Sequence, residues 1–193
     1  AGTKVVATQE MFTQGNMLTT DNSLDLMVEG PGFFEVQLPD GTAAYTRNGQ
    51  FSLDDTGQIV TPGSGYVIQP AITIPEDATS ITVSAEGEVS VKTPGNAENQ
   101  VVGQLAISDF INPSGLDPMG QNLYLETGAS GTPIQGTASL DGMGAIRQGA
   151  LETSNVNVTE ELVNMIEAQR VYEMNSKVIS TVDQMLSYVN QQL

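Results

Sequence analysis

The stretch 157–193 contains neither glycine nor proline, and that commits it to one long helix. Asn157 is placed to cap it, with Glu160 three residues on in capping-box position. Glu160 and Glu161 also fall in the first turn, where the helix dipole favours negative charge. Glu173 precedes Lys177 by four residues, the better orientation for a surface pair. At alternating spacings of three and four, one stripe runs through Met165, Ala168, Tyr172, Asn175, Ile179, Val182, Leu186, Val189 and Leu193, with Asn175 its polar member. A seven-residue repeat held this long describes a seam for another helix. Val171, Val178 and Met185 flank it. Burying the large apolar side chains of the seam is worth roughly 1.5–3 kcal/mol each, a gain realised only under a partner. Left uncovered, such a stripe is an interaction surface or an aggregation hazard. The alternative is an amphipathic helix docked on its own β domain. Asn175 either fixes the register of the seam or interrupts it.

The rest of the chain has two textures. Residues 1–28 are polar and weakly patterned and are expected to form an extended N-terminal connector. Residues 29–150 carry short apolar alternations separated by turn signals, the pattern of antiparallel hairpins. Phe34, Val36 and Leu38 alternate into the turn Pro39-Asp40-Gly41, and a second segment passes through Tyr45 to Asn48-Gly49. Phe51 and Leu53 then lead through Asp55-Thr56-Gly57 to Ile59. The spacing of Phe51, Leu53, Gly57, Ile59 and Thr61 returns in Ile81, Val83, Gly87, Val89 and Val91, which predicts two hairpins of similar build. Val101 to Phe110 and Leu123 to Glu126 are further strand candidates, and Gly128 to Gly149 reads as a connection over the surface. The expected fold is mainly β, of irregular, barrel-like hairpins, with residues 151–193 as a C-terminal coiled-coil helix.

Composition narrows the function. Histidine and cysteine are both absent, which removes disulfides, thiol nucleophiles, histidine bases and zinc sites built on either residue. A net charge of −17 repels phosphate backbones and anionic headgroups, so neither nucleic acid nor a membrane surface is an expected partner. No apolar run approaches the roughly 18 residues that span a bilayer. The basic residues Lys4, Arg47, Lys92, Arg147, Arg170 and Lys177 are scattered and form no phosphate site; solvated roles or pairs with carboxylates of other subunits are expected for them.

The remaining motifs read as structure. Asp55-Thr56-Gly57 is the tripeptide of aspartic proteases, but those enzymes need two such carboxylates sharing a proton, and the matching loop here is Ala85-Glu86-Gly87. A hairpin turn is the expectation. Asp54-Asp55 and Glu160-Glu161 lack the alternating acidic spacing of an EF-hand loop. Gly30-Pro31-Gly32 and Gly142-Met143-Gly144 lack the third glycine of a dinucleotide loop. No catalytic, cofactor or metal residue is expected.

Two stretches carry a specific resemblance. One is Asn22 to Val36, with Asp25, Gly30, Gly32, Phe33 and Phe34, continuing through Tyr45, Arg47, Gly49 and Phe51. The other is Glu152-Thr153-Ser154-Asn155-Val156-Asn157-Val158, followed by Glu160 to Ile166 and Gln169 to Glu173. Both resemble the signatures of the flagellar rod and hook protein family, and the Ser-Asn-Val-Asn-Val form is most similar to its distal rod branch. The resemblance implies a β domain from the middle of the chain and terminal segments that form a helical coiled-coil layer. It implies a non-enzymatic structural subunit of the distal rod, polymerising into a rigid helical tube that carries torque from motor to hook. Its implied partners are copies of itself, adjacent rod and hook proteins, and the proteins of the ring bushing. It places the subunit in the basal body, in the part of the rod that spans the periplasm, reached by type III export without a cleaved signal. The family's N-terminal helix, the natural partner of the seam, is expected ahead of Ala1. Still open are a proximal rod or hook subunit, a non-flagellar β binding module with a coiled-coil stem, and a carboxylate-dependent hydrolase.

Overall fold

Turn-forming residues recur so closely before residue 150 that no described strand exceeds five residues. The computed structural model describes Lys4 and residues 9–95 and 98–191. Contacts divide the chain into two units, Ala1–Ser154 and Asn155–Leu193. The first holds β1 (Met17–Thr19), β2 (Leu26–Glu29), β3 (Phe33–Gln37), β4 (Ala43–Thr46), β5 (Ser52–Leu53), β6 (Ile59–Val60), β7 (Val67–Gln69) and β8 (Ser80–Val83). It continues with β9 (Glu88–Lys92), β10 (Gln100–Gln104), β11 (Ala106–Asp109), β12 (Asp117–Gly120), β13 (Leu123–Leu125), β14 (Ile134–Thr137), β15 (Ala145–Gln148) and β16 (Ala150–Glu152). The second unit is the helix α1 (Val158–Gln191).

Strand β3 organises the first unit. One of its edges pairs with β4. Its other edge is shared, Phe33 and Phe34 pairing with β11 while Glu35 to Gln37 pair with β7. The largest sheet therefore branches, running β12-β13-β4-β3-β7-β6-β5 with β11 and β14 leaving the path at β3. This corrects the barrel-like expectation. Closing a barrel needs one continuous staggered ladder, and here the path ends on β12 and β5, which do not pair with each other. Smaller sheets are β10-β9-β8, β15-β2 and β1-β16.

Successive side chains on a strand point to opposite faces, and Phe33-Phe34 uses both. Phe34 enters the main core with Leu26, Val28, Phe51, Ile59, Ile68, Val89 and Ile107. Phe33 enters a second cluster with Tyr45, Phe110 and Leu116, joined at its margin by Phe12 and Tyr124. Rings meet edge to face, Phe34 on Phe51 at 5.2 Å and Tyr45 on Phe110 at 4.8 Å between centroids. Each such pair adds about 0.5–1.5 kcal/mol beyond its buried area.

The two hairpins of matching spacing have matching geometry. Leu53 faces Ile59 across β5–β6 as Val83 faces Val89 across β8–β9. Gly57 and Gly87 take φ of 78° and 85°. Each turn carbonyl then accepts from a distant amide, Gly57 O from Ile74 and Gly87 O from Leu105. The carboxylate of the first turn that does the holding is Asp54. Its Oδ1 accepts from the Thr56 and Gln58 amides at 2.9 and 2.7 Å, and these bonds keep its carboxyl below the usual range.

Three further readings change. The candidate strand Val101–Phe110 is divided at buried Leu105 between β10 and β11, which belong to different sheets. The stretch read as a surface connection, 128–149, contains β14 and β15, with Ala138 and Ile146 buried. Its glycine content hid strands whose stability comes from their partners β11 and β2. The connector stretch 1–28 includes β1 and most of β2, whose Leu26, Met27 and Val28 are buried.

In α1, 34 residues give a length of about 51 Å at 1.5 Å per residue. Asn157 stands before it, its Oδ1 accepting from the Thr159 amide at 3.2 Å and its carbonyl from Glu161 at 3.1 Å. Thr181 and Ser187 return their hydroxyls to the carbonyls of Lys177 and Gln184, at 2.8 Å each, so both hydroxyls are satisfied within the helix.

Two outcomes are expected. Gly49 lies against β2, and a Cβ there would collide with the Leu26 carbonyl oxygen. Gly49→Ala should cost about 1–3 kcal/mol, read as a lowered urea midpoint; an unchanged midpoint contradicts this packing. Burial, then the charges of Glu35 and Glu126, push the Tyr45 phenol up to about 12 from an ordinary 10.0. Burial, together with the charge of Glu10 and its hydrogen bond, also raises Tyr124. A raised phenol favours the folded state fully while the unfolded phenol is still protonated, and that contribution fades as pH climbs from about 10 toward 12. Chemical denaturation at stepped pH should show stability falling in that window, and Tyr45→Phe should flatten the fall.

Candidate assembly surfaces

Every helix side chain that the structure describes is exposed, the seam among them. Met165 is 55%, Tyr172 77%, Ile179 64%, Val182 47% and Leu186 58% accessible. Ala168 and Asn175 are exposed with them. Val189 belongs to α1, but its side chain is not among those described, and Leu193 lies outside the described residues. A second apolar track runs beside the seam. Met174, Val178, Val182 and Met185, with Lys177 and Thr181, form one contiguous face of α1. Val171 is exposed on the same side. Apolar side chains in such density on two tracks exceed the scattered singles normal for a surface.

The motif residues before position 52 meet around Arg47. Gly30 and Gly32, at φ of 114° and 132°, turn the chain sharply about Pro31 and aim their carbonyls inward. Arg47 Nη1 donates to the Gly30 and Gly32 oxygens at 3.1 and 3.0 Å, and Nη2 to Gly30 and Val28 at 3.1 and 3.4 Å. Its guanidinium carbon lies 5.7 Å from the centroid of the Phe33 ring. The remaining donor, Nε, reaches Glu152 Oε2 at 3.0 Å, and both side chains are largely buried. The other Glu152 oxygen accepts the Gly15 amide at 2.8 Å.

The neighbouring motif residues are equally engaged. Asp25 is buried and accepts from Asn22 Nδ2 at 3.0 Å, while its backbone bridges to Gln50. Tyr45 and Phe51 are core residues. Ser154 closes the first unit, and Asn155 and Val156 open the second. Asp25, Tyr45, Arg47 and Phe51 are thus engaged within the β unit, whereas the described side chains of the seam are exposed.

Sequence reading missed the pair Arg47–Glu152, separated by 105 positions. It also expected the basic residues to be solvated or paired with other subunits. Arg47 instead pairs within the chain, as does Arg147, at 3.5 Å from Glu29. The available signal was that Arg47 and Glu152 each lie in a motif stretch.

Asp55 stands in an exposed turn. Among the described residues no three metal-capable side chains converge, and no helix is long and apolar enough to cross a membrane. A cavity of about 280 Å³ is lined by Thr46, Asn48, Thr61, Ser64, Gln121 and Leu123 and neighbours, none of them charged.

Comparison with known proteins finds relatives among the flagellar rod and hook proteins. A family model described as the flagellar hook protein FlgE/F/G D1 domain matches residues 27–91. A second, the flagellar basal body rod FlgEFG protein C-terminal, matches residues 147–192. Flagellar basal-body rod protein FlgG of Buchnera aphidicola (Acyrthosiphon pisum) is 53% identical over 98% of this chain and 73% of its own length. The protein of the same name from Borreliella burgdorferi is 50% identical over 98% of this chain and 72% of its own. The flagellar hook protein FlgE of Salmonella typhimurium is 42% identical over 58% of this chain and 28% of its own.

Proposed function

Because the chain belongs to the family of the flagellar basal-body rod protein FlgG, we propose that it acts as a structural subunit of the bacterial distal rod by lending α1 to a layer of packed helices. The observation that carries this mechanism is the exposed seam Met165, Ala168, Tyr172, Asn175, Ile179, Val182 and Leu186 on a helix of 34 residues. A single partner helix covers one seam. The adjoining track of Met174, Val178 and Met185 requires a second neighbour, the condition of a helix inside a tube wall. Contacts that join unlike faces of successive subunits repeat without closing and generate a helical filament.

The partners of this reading are copies of the chain and adjacent rod and hook proteins, with the ring-bushing proteins around the assembled rod. Neither nucleic acid, a membrane nor a cofactor takes part, and no catalysis is assigned. The location is the flagellar basal body, in the periplasm-spanning rod, with export through the flagellar type III apparatus. Asn157 with Glu160 starts the helix at a fixed residue, which fixes the register of the seam. The hook protein's partial match supports a hook subunit as a second reading, but the rod relatives match over nearly the whole chain.

Two expectations follow from the exposed seam and the charge of −17. Tyr172→Asp places a charge in the seam and should sharply reduce rod assembly while leaving the melting of the β unit unchanged. Electron microscopy of basal bodies checks this, and normal rods would show the seam to be misassigned. Screening the repulsion between acidic subunits should promote association. Light scattering of assembling protein should rise from low to high salt; a flat or falling signal contradicts the charge barrier.

A further inference from the structure

The two arms of the β unit leave it side by side. Strand β1 pairs antiparallel with β16, with Met17 opposite Glu152 and Thr19 opposite Ala150. The chain therefore enters β1 and leaves β16 at the same end of this two-stranded ladder. Tension that draws the two arms apart opens the ladder from that end, one rung at a time. This is its weakest direction, because the rungs break in sequence instead of together. The pair is three residues long on each side, and Met17 and Leu18 are about half exposed. It has little core of its own to resist opening.

The mouth of this ladder is where Glu152 sits. One carboxylate oxygen holds the incoming arm through the Gly15 amide at 2.8 Å. The other holds Arg47 at 3.0 Å, and Arg47 is fixed to the carbonyls of Val28, Gly30 and Gly32 in the body of the unit. Next to it, Asn16 O accepts from the Thr153 amide at 2.8 Å and the Thr153 hydroxyl at 3.0 Å. Hydrogen bonds to charged groups are shorter and about twice as strong as neutral ones. The strongest bonds in the region thus stand at the point that yields first under load.

We propose that Glu152 is a positioning residue that clasps both chain arms to the body of the β unit through Arg47, so that load on the arms is resisted at the mouth of β1–β16. The role rests on the rod reading, in which subunits carry torque. It gives Glu152 a mechanical task distinct from its contribution to folding.

The chain contains no native cysteine, so paired thiol handles can be introduced cleanly. Handles at Gln9→Cys and Glu160→Cys put tension across the mouth; handles at Asp55→Cys and Glu98→Cys load the unit without crossing it. In single-molecule pulling at fixed force, Glu152→Ala and Arg47→Ala should shorten the lifetime of the closed state across the mouth about ten- to a hundredfold, the change expected from losing a hydrogen bond to a charged group. Glu152→Gln, which keeps an acceptor oxygen, should fall between. Lifetimes with the control handles should shorten by a clearly smaller factor, since losing the buried pair also lowers the stability of the whole unit. Unchanged mouth lifetimes in Glu152→Ala overturn the clasp, and so does an equal loss with both handle pairs, which would mean a general effect on stability. Because the isolated chain is loaded, the clasp can fail while the rod reading stands, and the seam variant can defeat the rod reading while the clasp stands.

Discussion

The Arg47 guanidinium joins parts of the chain that are far apart in sequence, and much of the first unit is arranged around it. Its donors reach the carbonyls of Val28, Gly30 and Gly32 and the carboxylate of Glu152. A largely buried cation needs such complete satisfaction, since removing one partner of a buried pair leaves an uncompensated charge at a cost of about 3–5 kcal/mol. The bend at Gly30-Pro31-Gly32 exists to present those carbonyls. The same bend starts β3 at Phe33, which lies under the guanidinium. One interaction therefore sets the path of the N-terminal stretch, the start of the central strand and the place where the chain leaves the β unit.

From that fixed start, β3 distributes its side chains to separate clusters. Phe34 and Phe33 belong to different cores on opposite faces, and Val36 enters a third with Leu38, Ala44 and Leu123. A strand with packed residues on both faces and three partner strands leaves little freedom to its neighbours. The sheet branches because two strands share one edge of β3, and it stays open because its end strands β12 and β5 do not pair. An open sheet built of very short strands keeps its edges in small pieces, which limits casual edge-to-edge pairing. Surface repulsion between acidic molecules acts in the same direction.

The two units thus differ in what they leave unfinished. In the β unit the motif residues are consumed by internal contacts, as shown by Asp25, Tyr45, Arg47 and Phe51. In the helix, apolar side chains face solvent along two tracks. Covering each large side chain would gain roughly 1.5–3 kcal/mol, the gain on which the proposed packing of helices draws. Internal contacts and exposed apolar surface thus fall on different stretches of the chain.

The sequence by itself determined whatever depends on local repetition. The glycine-free run and its Asn157 start gave the helix nearly to the residue, because a helix closes its hydrogen bonds within itself. The two hairpins were legible because Gly57 and Gly87 stand at equivalent turns. Tertiary structure alone decided what depends on distant partners. The strands within 128–149 exist because β2 and β11 lie beside them. The sheet stays open because its end strands β12 and β5 do not meet. Arg47 finds Glu152 across 105 positions, and nothing in the spacing of either residue could announce that pairing, since a contact between remote segments is set by the packing of everything between them.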